Sequence, residues 1–137
     1  MSATATVSDP NRKHLEAART LIAKGDLKQA ALTLNKAQKQ LPNDPRVFML
    51  AGLMAEKSGN INGAFEALRR SVAMAPDWGP GLLELALLLA RQNQFKEAVE
   101  TAEKVAALEP RNLQVLAGVV DIAHRAGHTE MAVQHLR

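Results

Sequence analysis

Proline recurs at positions 42, 76 and 110, at an interval of 34 residues. Three further series keep the same interval. Alanine stands at Ala30, Ala64, Ala98 and Ala132. Small residues stand at Ala18, Gly52 and Ala86, and Val120 breaks that series in its fourth place. Gly25, Gly59, Asn93 and Gly127 form the last series. No insertion disturbs the register. A repeat this regular restricts the chain to stacked copies of one short unit, each too small to bury its apolar face alone.

Each unit reads as two amphipathic helices. Leu15, Ala18, Leu21 and Ile22 lie at helical spacing after Asp9-Pro10, a cap followed by a proline suited to a first helical turn. Gly25 then ends that helix and Asp26 caps its partner, which carries Leu27, Ala30, Ala31, Leu34, Ala37 and Leu41 up to Pro42. The pattern restarts at Asn43-Asp44-Pro45, with Phe48, Ala51, Gly52 and Ala55, turns at Gly59-Asn60, and continues through Ile61, Ala64, Phe65, Leu68 and Val72. Asp77 is the expected cap of the third unit, whose Gly79-Pro80-Gly81 opening weakens its first turn. Asn93 makes the third turn, and Phe95, Ala98, Val99, Ala102 and Val105 line the helix after it. The fourth unit carries Leu116, Val119, Val120 and Ala123. It is expected to turn at Gly127-His128 and to begin a second helix from Thr129 to Arg137.

The small residues have a steric reason, because two helices that approach closely need a position without bulk where their axes cross. Glycine at the turn avoids the cost of a positive φ. With 3% aromatics and Ala and Leu filling the apolar positions, the composition favours helix over sheet. Residues 1–9 read as a flexible tail.

On these residues the chain resembles the tetratricopeptide repeat (TPR) family, over about residues 11–137. The resemblance implies an all-α, right-handed α-solenoid of antiparallel helix pairs. It comprises three full 34-residue units, 11–44, 45–78 and 79–112, and an incomplete fourth at 113–137. It departs from the family at two aromatic positions of the first helix. One is filled by His14, Phe48, Leu82 and Leu116, the other by Leu21, Ala55, Leu89 and Ala123. Packing is therefore expected to rest on Ala and Leu.

The family's binding surface is a concave groove lined by the first helix of each pair. The matching positions are Arg12, Leu15, Arg19, Ile22 and Ala23, then Arg46, Met49, Leu53, Glu56 and Lys57. The third unit supplies Pro80, Leu83, Leu87, Ala90 and Arg91, and the fourth Gln114, Ala117, Asp121, His124 and Arg125. Met49, Leu53, Leu83 and Leu87 are expected to form an apolar floor with Arg and Lys at its edges. The family also has a clamp of basic and asparagine side chains for a terminal carboxylate. Its matching positions hold Leu15, Arg19, Leu50, Pro80 and Glu84, of which only Arg19 is suited to that task. Trp78, on the connection between the second and third units, reads as a packing residue.

Catalytic constellations are missing from the pattern. There is no glycine-rich phosphate loop, HExxH motif or calcium loop, and no cysteine. His124 and His128 are four apart, but a turn at Gly127 would separate them. Glu97, Glu100 and Glu103 read as a solvated helix face, and His14 and His135 as isolated histidines. No cofactor or metal is expected. A net charge of +3 without a dense basic stripe argues against nucleic acid as partner. The first residues carry no signal-peptide pattern, and the longest apolar run, Leu85 to Ala90, is too short to span a membrane. Cytoplasmic residence and no membrane insertion are the expectations.

The expected function is a non-enzymatic scaffold that takes a protein or peptide into an apolar groove rimmed by Arg and Lys. The alternative is a substrate-recognition or oligomerisation arm of a larger enzyme of glycosyltransferase, sulfotransferase or methyltransferase type, with its catalytic part beyond residue 137. The last unit stops mid-helix without a polar capping helix, which favours a longer native protein. A homodimer through the groove or the uncapped C-terminal end is a further expectation.

Overall fold

The computed structural model describes residues 12–135, with side chains to residue 127. The proposed tail at residues 1–9 lies outside the described residues. Seven helices are present among them: α1 (Arg12–Lys24), α2 (Leu27–Gln40), α3 (Pro45–Lys57), α4 (Ile61–Met74), α5 (Gly79–Arg91), α6 (Phe95–Leu108) and α7 (Leu113–His135). The described residues contain no strand. The fold is an all-α repeat of the solenoid class.

The first three turns repeat atom for atom. The N–H of Asp26 donates to the Leu21 carbonyl at 2.9 Å, that of Asn60 to Ala55 at 2.8 Å, and that of Gln94 to Leu89 at 2.9 Å. These six-to-one bonds close a Schellman turn, which needs a left-handed residue just past the helix. Gly25, Gly59 and Asn93 supply it, with φ of 83°, 87° and 63°. Asparagine is among the few residues with a side chain that reach this region at modest cost. The helices that follow are capped where the sequence provides an acceptor. Asp26 accepts from the Gln29 N–H at 3.4 Å, Asp44 from Arg46 at 2.9 Å, and Asn60 from Gly63 at 2.9 Å. Asp77 does not cap α5: the N-cap is Trp78, which makes no side-chain capping bond.

The chain divides between Met74 and Ala75 into two compact units. In the first, α1 packs on α2 and α3, α2 on α3, and α3 on α4. Ala18, Ala30 and Ala64 have no exposed surface. Gly52 shows how close the helices of one pair come. A Cβ there would sit 2.7 Å from Leu68 Cγ and 3.2 Å from the Ala64 carbonyl oxygen. Ser71, fully buried, donates its hydroxyl to the Pro45 carbonyl at 2.8 Å and ties α4 to the start of α3. Arg70 lies over the Phe48 ring, 4.6 Å from its centroid.

In the second unit α5 packs on α6 and α7, and α6 on α7. Leu82, Leu85, Ala86, Leu88, Leu89 and Ala90 of α5 are all buried. A carboxylate oxygen of Glu109, Oε2, is buried without a hydrogen-bond partner, while Oε1 accepts from the Asn112 amide at 3.2 Å. A Cβ on Gly79 would fall on that carboxylate, so the Glu109 side chain rests directly against the backbone where α5 begins. The positive end of the helix dipole offsets part of the cost of burying the charge.

The fourth repeat departs from expectation. No turn forms at Gly127-His128: α7 runs unbroken for 23 residues from Leu113 to His135. Gly127 takes no positive φ, unlike its counterparts Gly25 and Gly59. Val120, in the register of Gly52, is 66% exposed on this straight helix, whereas a Cβ on Gly52 would meet the returning helix at Leu68.

Candidate functional site

The expected groove residues all fall on the first helix of a pair or on α7, and they divide between the two compact units. Arg12, Arg19, Arg46, Met49, Leu53 and Lys57 belong to the first. Leu83, Leu87, Arg91, His124 and Arg125 belong to the second.

In the first unit α1 turns Leu15, Ala18 and Ile22 into the core, and Arg12 and Arg19 are exposed along one edge of that stripe. The Arg12 guanidinium donates from Nε to Glu16 at 3.1 Å, one helical turn on. Arg46 is committed locally, since its guanidinium grips the Asp44 carboxylate at 2.6 Å next to the cap of α3. Met49, expected in the floor, is 5% exposed and belongs to the core. Leu53 and Glu56 are half-buried and Lys57 is exposed. The accessible apolar surface of α3 is therefore narrower than the spacing suggests.

In the second unit Leu83 and Leu87 are half-buried on α5, while Ala90 is buried and Arg91 exposed. Leu83 leans on α7, where a Cβ on Gly118 would lie 2.9 Å from its Cδ1. Gly118 is a residue that the sequence reading passed over. Its signal was a lone glycine inside a helical pattern, which marks a close approach. Leu88, also unassigned before, is fully buried. The fourth-unit positions Gln114, Ala117, Asp121, His124 and Arg125 are exposed, and Arg125 pairs with Asp121 at 3.2 Å.

The clamp positions do not assemble an anion site. Leu15 and Leu50 are buried and Pro80 carries no donor. No group of three or more His, Asp or Glu side chains that could hold a metal exists among the described residues. His124 and His128 share the continuous helix α7, so the expected turn does not separate them. The side chain of His128 lies outside the described residues. Glu100 and Glu103 are exposed on α6 and Glu97 is half-buried. Surface depressions of about 500 Å³ at Asn93–Glu100 and about 350 Å³ at Gln40–Pro45 lie along the turns, and neither is lined by a groove residue. No helix of the described residues is long and apolar enough to cross a membrane.

The profile of the tetratricopeptide repeat matches residues 15–77 and 83–137. The chain belongs to the tetratricopeptide repeat family. Human tetratricopeptide repeat protein 7A is 27% identical over 89 residues, covering 65% of this chain and 10% of that protein. The chain spans about a tenth of the length of the curated relatives it matches. Among solved TPR structures, the first TPR of Spaghetti (RPAP3) bound to the HSP90 peptide SRMEEVD superposes with a TM-score of 0.66. That match has 16% identity and covers 81% of this chain and 88% of that one. The Thermobaculum terrenum O-GlcNAc transferase superposes with a TM-score of 0.67 at 19% identity, covering 85% of this chain and 23% of the enzyme. At these identities the likeness establishes the TPR fold.

Proposed function

We propose that this TPR chain is a non-catalytic scaffold that holds a segment of a partner protein against the first helices of its pairs. The observation that carries the reading is the state of α5. Six of its residues between Leu82 and Ala90 are buried or nearly so, yet Leu83 and Leu87 remain half-open, followed by the exposed Arg91. A helix this apolar has little reason to leave two leucines in water unless a partner covers them. In the first unit, Leu53 with Lys57 repeats the same combination on α3, one helix pair earlier in chain order.

Covering the open part of each leucine contributes about 1–2 kcal/mol. Loss of association entropy offsets much of the total, so micromolar affinity is the expected range. The peptide seen with RPAP3 does not carry over by its terminal carboxylate, because only Arg19 of the clamp positions is suited to hold one. The experiment is affinity capture with this chain, identification of the retained protein, and titration of that protein. Leu83→Asp with Leu87→Asp should abolish capture while helical content and cooperative melting persist. Undiminished binding by the double variant would sink the reading.

A second reading has one observation in its favour. The chain covers 23% of an O-GlcNAc transferase of similar repeat fold. On that reading these helices are the recognition arm of a larger enzyme, and the length of the native open reading frame decides between the two.

A further inference from the structure

The outer face of α2 breaks a charge pattern that the other second helices keep. Lys28, Lys36 and Lys39 are exposed, and Leu32 among them is 51% exposed. Their spacing of three and four residues sets them in one stripe along the helix, opposite the buried Ala30, Leu34 and Ala37. In register with Leu32 stand Glu66 of α4 and Glu100 of α6, both exposed. Glu100 lies one turn from Lys96 and one turn from Lys104, and Glu66 one turn from Arg70. The first pair keeps the bases of this pattern and replaces its acid by leucine. Helix α2 has no acidic residue, whereas α6 carries Glu97, Glu100 and Glu103.

Helix stability does not explain the stripe. Lys36 and Lys39 are three apart, and like charges at that spacing destabilise a helix. Lys28 stands in the first turn, where the helix dipole disfavours a cation, and only Lys39, in the last turn, suits the dipole. The carboxylates at the two ends are already engaged. Asp26 accepts the Gln29 N–H at 3.4 Å, and Asp44 is gripped by Arg46 at 2.6 Å. No ion pair engages Lys28, Lys36 or Lys39 among the described residues. Three cations thus surround an apolar side chain in water, with no acid of their own helix between them.

We propose that this stripe is a second docking surface, for an acidic amphipathic helix of a partner protein. Lys28 and Lys36 are eight residues apart, about 12 Å along the axis. Their complement is a helix with two carboxylates eight residues apart and an apolar side chain midway, which meets Leu32. A bilayer fits less well, because basic segments that bind anionic lipid carry about four to eight Lys or Arg and the stripe has Lys28, Lys36 and Lys39 alone. A nucleic acid fits less well too, since α2 has no aromatic side chain on which a base could stack. The charges steer and orient the partner helix, and the leucine contact fixes its register. The surface shares no residue with the groove positions on α3 and α5.

The probe is a fluorescein-labelled, alanine-based helical peptide with the stripe Glu-x-x-x-Leu-x-x-x-Glu. Titrated with the whole chain at moderate ionic strength and followed by anisotropy, it should bind with a Kd of about 100 µM or below. Leu32→Glu gives the first pair the residue that the second and third carry, so helical content and melting should persist while affinity falls about tenfold. Lys36→Glu should weaken binding as much. Lys104→Glu, an equal charge change at the same register of α6, should alter it by less than about twofold, because distant charges are screened. Replacing the leucine of the peptide by alanine should weaken it about threefold. No saturable binding of the peptide, equal losses in Lys36→Glu and Lys104→Glu, or full binding by Leu32→Glu each overturn the surface. Sedimentation of the chain with phosphatidylcholine–phosphatidylserine vesicles while the peptide stays unbound assigns the stripe to a membrane and overturns it as well. Leu83→Asp/Leu87→Asp should leave the peptide affinity unaltered, which separates this test from that of the groove.

Discussion

The second helix pair and α7 begin alike and end differently. Both have glycine at the turn position, Gly59 in one and Gly127 in the other, and both place a Cβ at that glycine in open space. The chain reverses at Gly59 with φ of 87° and runs straight through Gly127. A glycine permits a left-handed turn but does not compel one. Two neighbours separate the cases. Gly52 lets the returning helix approach until Leu68 and Ala64 touch it, whereas Val120 holds that register in the fourth repeat. Asn60 then caps the returning helix through the Gly63 N–H, and His128 holds the corresponding place without a short side-chain acceptor.

The comparison can be broken most forcefully at Gly52. Gly52→Val gives the second pair the residue of the fourth, and the overpacking should destabilise the first unit by about 2–3 kcal/mol, read from urea denaturation. A change below the error of the fit would remove close approach as the deciding difference. The glycines themselves sharpen it next, because the same substitution should act with opposite sign. Gly59→Ala forces a side chain into the left-handed region and should cost about 1–2 kcal/mol. Gly127→Ala removes a glycine from a helix interior and should stabilise α7 by about 0.5–1 kcal/mol. Thermal melts of the two variants side by side measure this, and equal shifts of one sign would contradict the two backbone states. The smallest effect is expected at the cap, where Asn60→Ala should cost about 1 kcal/mol and Asn60→Asp close to nothing.

Much of this was legible from residue spacing. The turns at Gly25, Gly59 and Asn93, the caps at Asp26 and Asp44, and the small positions Ala18, Gly52 and Ala86 all follow from local rules in which a side chain and its own backbone decide the outcome. The departures involve contacts between elements. Val120 was visible as a break in its series, but its consequence depends on the distance between two helices, which spacing does not supply. Met49 lies at groove spacing on α3, yet neighbouring helices close over it. Asp77 precedes α5 by two residues and so cannot reach its first amides as a cap. Glu109 could not be anticipated, because its partner across the fold is a glycine with no side chain to suggest pairing. For the groove as a whole, periodicity identified the helices, while the extent of open surface on Leu53, Leu83 and Leu87 emerged only from packing.

The three Schellman closures have a kinetic consequence. Turns are ordinarily where a protease cuts and where amides exchange first. Here the amides of Asp26, Asn60 and Gln94 are each bonded back to a carbonyl inside the preceding helix. A turn tied in this way opens only when the end of its helix unwinds. Deuterium should therefore enter these three amides late, and limited trypsin should leave Lys24 and Lys57 intact longer than their exposure on the surface would suggest.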